Sequence, residues 1–317
     1  MHADTATAST IGIHKRVERL MGNRFELTVI TDDEAAAQQS LDNAVTEIKR
    51  IETLLTTFSD DSQTAAINAA AGIHPVKVDK EVFDLIERAN RISAITQGAF
   101  DLSYGSIDKR FWNFDRNMTA LPDKETAKKM VRLINYHNII LNEKHTTVFL
   151  RQKGMRIGFG GIGKGYAAEQ AKKVLQNQGM HSGVVNAAGD LTAWGFQKDC
   201  RPWTIGIAAP DGTQHPFSSL QITDKAVATS GNYEKFVWIG GKKYSHTIDP
   251  KTGFPVSGIK SVTIVCPNAE IADALATPVM VMGVQVGLDL VNQLRDVACI
   301  IIDDDNKLYT SRNIHLT

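Results

Sequence analysis

The chain has 317 residues, of which 43% are hydrophobic and 22% charged, the balance of a chain that buries a core rather than of a disordered one. Thirty-five Lys and Arg offset thirty-five Asp and Glu. A net charge of zero excludes nucleic-acid or anionic-membrane binding driven by a surplus of cations.

At about 150 residues per domain, the length fits one large unit or two medium ones. Cys200, Cys266 and Cys299 are scattered, with no Cys-x-x-Cys, which argues against a disulfide framework, a zinc knuckle or an iron–sulfur cluster. No run approaches the roughly 18 apolar residues of a membrane span, so no integral membrane segment is expected. Residues 1–10 show no basic start followed by an apolar stretch and do not read as a signal peptide. Residues 1–18 are expected to form a loose tail ahead of a single unit, 19–317.

In chain order, residues 24–30 alternate as a strand. Thr31 and Glu34 form a capping-box pattern, and Leu41, Val45, Ile48, Ile51 and Leu55 recur at helical spacing. Asp79 opens a second helix with Val82, Leu85, Ile86, Ala89 and Ile92 on one face. Residues 101–117 have the aromatic and Gly-containing composition of a long loop, and Asp123 caps a third, short helix. The second half carries short β-prone stretches at 147–150, 183–186, 203–208, 226–228, 235–238, 260–265 and 298–302. Two helices interrupt them, one after Lys164 and one from about Ala269. This irregular order favours α+β, with a mixed sheet core and flanking helices, over a doubly wound sheet.

The strongest local signal is Gly158-Phe159-Gly160-Gly161-Ile162-Gly163-Lys164-Gly165, between an expected short strand at 155–157 and a helix. Glycines let backbone N–H groups approach an anion, the helix terminus adds partial positive charge, and Lys164 adds a full one. A phosphate or diphosphate is the functional reading; a tight turn needing positive φ is the structural one. The dinucleotide fingerprint fails because the next strand ends at Asn186 rather than at an acid. The P-loop pattern fails because Gly165 replaces the Ser or Thr that would hold magnesium.

Downstream, Asp190 in Asn186-Ala187-Ala188-Gly189-Asp190 reads either as a site carboxylate or as a turn residue. Ser230, in Ala228-Thr229-Ser230-Gly231-Asn232-Tyr233, lacks the nucleophile-elbow pattern. His246, two residues after Tyr244 on an expected strand face, is suited to move protons near neutrality, although most lone histidines are structural. Asp249 to Gly253 is an Asp-Pro…Gly turn. Asp273 and Thr277, four apart on one helix face and flanked by alanines, suit a hard cation such as magnesium, or alternatively simple helix packing.

Together, Met21-Gly22-Asn23, Gly98-Ala99-Phe100-Asp101, the glycine turn, Asn186 to Asp190, Ala228 to Gly231, His246 to Gly253 and Ala272 to Thr277 stand in an order that resembles the ApbE family of FAD:protein FMN transferases. The resemblance implies an α+β fold that binds FAD and magnesium and moves the FMN half of FAD onto a Thr or Ser hydroxyl, releasing AMP. The acceptors it implies are subunits of redox pumps and fumarate-reductase-like flavoproteins. It further implies Asp273, Thr277 and the Gly161 carbonyl as metal ligands. Met21, Phe58, Ala99, Phe100, Asp101, Lys164 and Thr247 would contact FAD, and His246 would accept the proton of the incoming hydroxyl. Gly158 stands where many members carry Asp, and Thr247 replaces a usual Ile. Pro278 is expected to kink the helix at Thr277. Family habit favours an envelope-facing mature form. Water as acceptor, giving an FAD pyrophosphatase, and a non-catalytic flavin-binding protein are the rival readings.

Overall fold

A computed structural model describes residues 11–111, 114, 118–207, 218–232 and 236–314. β1 (Gly12–Leu20) and β2 (Asn23–Thr31) form a hairpin, followed by α1 (Glu34–Leu55), α2 (Gln63–Ala69), β3 (Val76–Lys77) and α3 (Lys80–Ile95). A 3-10 turn at Leu102–Ser106, α4 (Lys124–Val131), β4 (Ile139–Asn142) and β5 (Thr147–Leu150) lead into α5 (Gly163–Asn177). Next come β6 (Gly183–Ala187), β7 (Asp190–Trp194), β8 (Trp203–Ile207), β9 (Ser218–Ile222), β10 (Lys225–Gly231), β11 (Phe236–Ile239), β12 (Lys242–Ser245) and β13 (Ile259–Cys266). The chain closes with α6 (Ala269–Met282), α7 (Val284–Val291), β14 (Ala298–Asp303) and β15 (Leu308–Thr310).

Eight strands form one sheet in the order β1-β2-β6-β7-β10-β13-β14-β15. The fold is α+β as expected, but the sheet pairs antiparallel where a mixed one was expected. Strand alternation sorts side chains to two faces. Ala226, Ala228, Val262, Ile264, Cys299 and Ile301 face the helical side, where Leu41, Ile48 and Ile51 of α1, Ala167 and Ala171 of α5 and Leu275 of α6 complete the main core. Val227, Val265, Ala298 and Ile300 face the opposite side, covered by Ile207, Leu220 and Ile222 of the β8–β9 hairpin. Burial on both faces explains why β14 reads as a near-continuous apolar run. No described helix is long and apolar enough to cross a membrane.

Several local expectations change. Of the tail expected at 1–18, residues 1–10 lie outside the described residues, and 12–18 belong instead to β1, in register with β2 from Gly12↔Thr31 to Leu20↔Asn23. Because that pairing keeps Thr31 in the sheet, the cap of α1 is Asp33, whose carboxylate accepts from Ala36 N at 2.9 Å. Asp123 caps α4 as expected, accepting from Glu125 N and Thr126 N. Residues 155–157 are not a strand. The Asn68 side-chain amide accepts from Ile157 N at 2.7 Å and donates to Ile157 O at 3.0 Å, taking the place of a ladder. Of the expected 101–117 loop, Leu102–Ser106 is a 3-10 turn, while 112, 113 and 115–117 lie outside the described residues, as do Ala208, Tyr233 and Lys235 of other predicted segments. α6 runs without interruption through Pro278, and no break marks the kink expected at Thr277. Val279 and Met280, both buried in the main core, hold the helix beyond the proline.

The crossing of α5 on α6 places the polar residues of interest. A Cβ on Gly165 would overlap the Ala269 carbonyl and lie 2.8 Å from Asp273 Cβ. Gly165→Ala is therefore expected to destabilise by about 1–3 kcal/mol through overpacking, outweighing the roughly 1 kcal/mol that Ala normally adds in a helix. Urea unfolding checks this; an unchanged or raised midpoint would show that the helices are not in close contact there.

Candidate active site

Lys164 stands in the first turn of α5, Asp273 in the second turn of α6 and Asp190 at the start of β7. The β6–β7 hairpin turn needs positive φ at Ala188 (56°) and Gly189 (102°), and Asn186 Oδ1 accepts from Gly189 N at 2.8 Å. Asp190 is thereby returned toward α5. Its Oδ2 accepts from Lys164 Nζ at 2.5 Å, while Asp273 Oδ1 lies 3.5 Å from the same nitrogen. Asp273 Oδ2 also accepts from Gly165 N at 2.9 Å. Both carboxylates are buried. Burial pushes the Asp273 carboxyl up to about 6, against the pull of Lys164 and with the added repulsion of Asp190. Burial opposes charge on Lys164 too, but the two carboxylates outweigh it and hold the ammonium above its ordinary value.

Beside this triad lies a cavity of about 360 Å³, walled by Ala99, Phe100, Gly160, Gly161, Thr247 and Thr277 among others. Positive φ is absent from Gly158, Gly160, Gly161, Gly163 and Gly165, so the turn does not need glycine for its dihedrals. The protein itself leaves room for side chains here: a Cβ on Gly160 would meet nothing within 4 Å, and one on Gly161 would touch Phe100 at an ordinary 3.6 Å. Thr277 Oγ1 and Ser230 Oγ, from α6 and β10, are 2.8 Å apart. Gly161 and Thr277 stand in the cavity wall, and Asp273 precedes Thr277 by one helical turn, so the oxygens on offer here are one carboxylate, two hydroxyls and backbone carbonyls. Among the described residues no group of three or more His, Cys, Asp and Glu converges on a cation site. A single carboxylate with neutral oxygens, completed by water and substrate phosphate, is a set that magnesium accepts, so these residues fit that ion.

The sequence profile of the ApbE family matches residues 21–301. The chain belongs to the ApbE family. It is similar to FAD:protein FMN transferases of Klebsiella pneumoniae (32% identity, 92% of this chain and 90% of the relative) and Treponema pallidum (32%, 95% and 87%). The crystal structure of an ApbE protein from Thermotoga maritima superposes with a TM-score of 0.83 at 27% identity, covering 95% of this chain and 97% of that one. A Pseudomonas stutzeri flavinyl transferase ApbE in its apo form shares the fold, with a TM-score of 0.83 at 23% identity and 95% coverage of both chains.

Of the residues singled out from the ApbE resemblance, Ala99, Phe100, Asp101, Gly161, His246, Thr247 and Thr277 line the one cavity. Asp273 and Lys164 stand one helical turn behind Thr277 and at the start of α5, with the Lys164 ammonium engaged by carboxylates. Asp101 is used inward. Its Oδ1 accepts from Ser103 N and Oγ and its Oδ2 from Tyr136 N, bonds that oppose the upward push of burial on its carboxyl. His246 does not share a strand face with Tyr244; it lies just past the end of β12, exposed, with Phe114 edge-on at 6.3 Å between ring centroids. Met21 and Phe58 are not in the wall. A Cβ on Gly163 would lie 3.5 Å from Met21 Cε. Phe58 is 99% exposed, next to Thr57, whose methyl would touch a Cβ on the wall residue Gly158 at 3.8 Å. Asp190 and Ser230 were weighed in the sequence but not assigned to the site. Nothing in their spacing ties Asp190 to Lys164 or Ser230 to Thr277.

Lys164→Met would leave two buried carboxylates facing each other, an expected loss of about 3–5 kcal/mol of stability. Adding Asp190→Asn and Asp273→Asn should recover a large part of it. Chemical denaturation of the single and triple variants checks the pair, and a loss below about 1 kcal/mol in the single variant would show the three groups to be uncoupled.

Proposed function

We propose that this protein transfers the FMN moiety of FAD to a Thr or Ser hydroxyl of a target flavoprotein, such as a redox-pump or fumarate-reductase-like subunit, with AMP as leaving group and magnesium as the required ion. The observation that carries this reading is the meeting of a half-open cavity of about 360 Å³ with hard-oxygen donors at its Thr277 and Gly161 wall. The activity named for the relatives at 32% identity supports it.

The residues divide the work as follows. The segments at Ala99–Asp101 and 246–250 wall the cavity and hold the flavin end of FAD. The backbone of Thr247 is fixed from both sides: its N–H donates to Ser245 Oγ at 3.1 Å, and its carbonyl accepts from Val256 N at 2.9 Å. Asp273, Thr277 and the Gly161 carbonyl would hold magnesium, with Ser230 orienting the Thr277 hydroxyl. Bound there, the ion would supply Lewis-acid neutralisation of the diphosphate, where positioning and charge dominate phosphoryl-type transfer. Lys164 keeps Asp273 in place and balances its charge. The acceptor oxygen would form the new bond to the FMN phosphorus as the bond to the AMP phosphate oxygen breaks, with His246 receiving the hydroxyl proton.

Incubation with FAD, magnesium chloride and a candidate acceptor tests the reading, with covalent flavin fluorescence on a denaturing gel and released AMP as readouts. Both are expected, and chelation of the metal should abolish both. Free FMN with AMP and no labelled acceptor would make the protein a pyrophosphatase; no AMP would make it a flavin binder. Asp273→Ala and Thr277→Val should each lower transfer at least about 10–100-fold, in line with the loss of a metal contact. Near-normal turnover in Asp273→Ala would remove Asp273 from the site.

A further inference from the structure

Beside the flavin cavity lies a separate groove of about 650 Å³, sharing Asp101 and Pro250 with it and lacking Gly161 and Thr277. Its walls carry Lys128, Arg132 and Lys251, with His137 stacked on Tyr136 at 4.1 Å. All four basic side chains belong to exposed residues. Among the described residues, none of Lys128, Arg132 and Lys251 forms an ion pair. The nearby acids are engaged elsewhere: Glu125 with Lys129, Asp108 with Arg110, and Asp249 with the N–H of Lys251 and the hydroxyl of Thr252. The one carboxylate in the wall, Asp101, has its oxygens turned to Ser103 and Tyr136. Three cations with no ion pair among the described residues thus gather in one groove of a chain whose net charge is zero, with only the Asp108 carboxylate, itself paired to Arg110, near enough to Arg132 to be steadied by it.

We propose that this groove docks an acidic stretch of the acceptor protein, a proposal that rests on the transferase reading above. The groove and the reacting centre share one chain segment. Lys251 is five residues from His246, at most about 18 Å of extended chain. That segment is clamped to α4, which bears Lys128: a Cβ on Gly253 would overlap the Ala127 carbonyl, and Ile248 packs with Met130 and Val131. Carboxylates held on Lys128, Arg132 and Lys251 would therefore bring a neighbouring hydroxyl to the His246 end of the cavity. The groove lies away from the oxygen donors at Thr277 and Gly161, which separates it from the diphosphate position. Charge complementarity of this kind selects and orients a partner more than it tightens it.

The test uses two fluorescein-labelled peptides, one with a single Thr flanked by aspartates and one with asparagines in their place, titrated by anisotropy against the full chain at low salt. The Asp peptide is expected to bind at least about tenfold more tightly, and Lys128→Glu with Arg132→Glu, or Lys251→Glu alone, should remove that preference. FAD binding, read by flavin fluorescence, should stay within about twofold in the same variants, which also reports that they fold. Equal binding of the two peptides, or an undiminished preference in the variants, overturns the proposal. So does a parallel tenfold loss of FAD affinity, which would assign the groove to the dinucleotide. Wild-type protein that flavinylates no acceptor would overturn the transferase reading instead, a result the binding titration does not depend on.

Discussion

One ammonium shared by two buried carboxylates organises this molecule. Lys164 on α5, Asp273 on α6 and Asp190 on β7 come from three elements, and each is costly to bury alone. Together they hold the start of α5 against the first turns of α6 and against the central sheet. The same contact fixes the position of Thr277, which follows Asp273 by one helical turn and meets Ser230 from β10. Stability and chemistry are coupled here: the polar cluster is buried because the helices are close, and they are close because position 165 has no side chain.

Around that cluster the architecture separates rigid support from adaptable rim. The antiparallel sheet is covered on one face by helices and on the other by the β8–β9 hairpin, so the strands that present Asp190 and Ser230 are held on both sides. The rim is built from loops. Asn68, Ser106 and Asp101 pin those loops through side-chain bonds to backbone groups that no strand or helix satisfies. The exposed Phe58 and His246 stand on this rim, where a substrate can reach them.

Much of the fold was legible from periodicity and punctuation. Apolar residues at helical spacing located α1 and α3, and Asp123 marked the cap of α4, since these signals are local. The misses share a cause in long-range pairing. β1 carries Ile13 and Val17 on its exposed face and His14, Arg16 and Glu18 on its half-buried one, and it becomes a strand by pairing with β2; residues 155–157 have strand-like composition, yet Asn68, 89 positions away from Ile157, takes their hydrogen bonds. Pro278 disfavours helix locally, but buried Val279 and Met280 carry α6 past it. For the site, motif order brought most wall residues forward, whereas Asp190 and Ser230 have ordinary turn and strand-end surroundings.

By itself the sequence determined the family pattern, the helix-bearing segments and the four-residue spacing that puts Asp273 and Thr277 on one helix face, because each is written in neighbouring residues. Only the tertiary structure decided that Asp190 meets Lys164, that Ser230 meets Thr277 and that the groove cations lie beside the cavity walled by Gly161 and Thr277. Those contacts join residues 26, 47 and more than a hundred positions apart, and no local propensity encodes them.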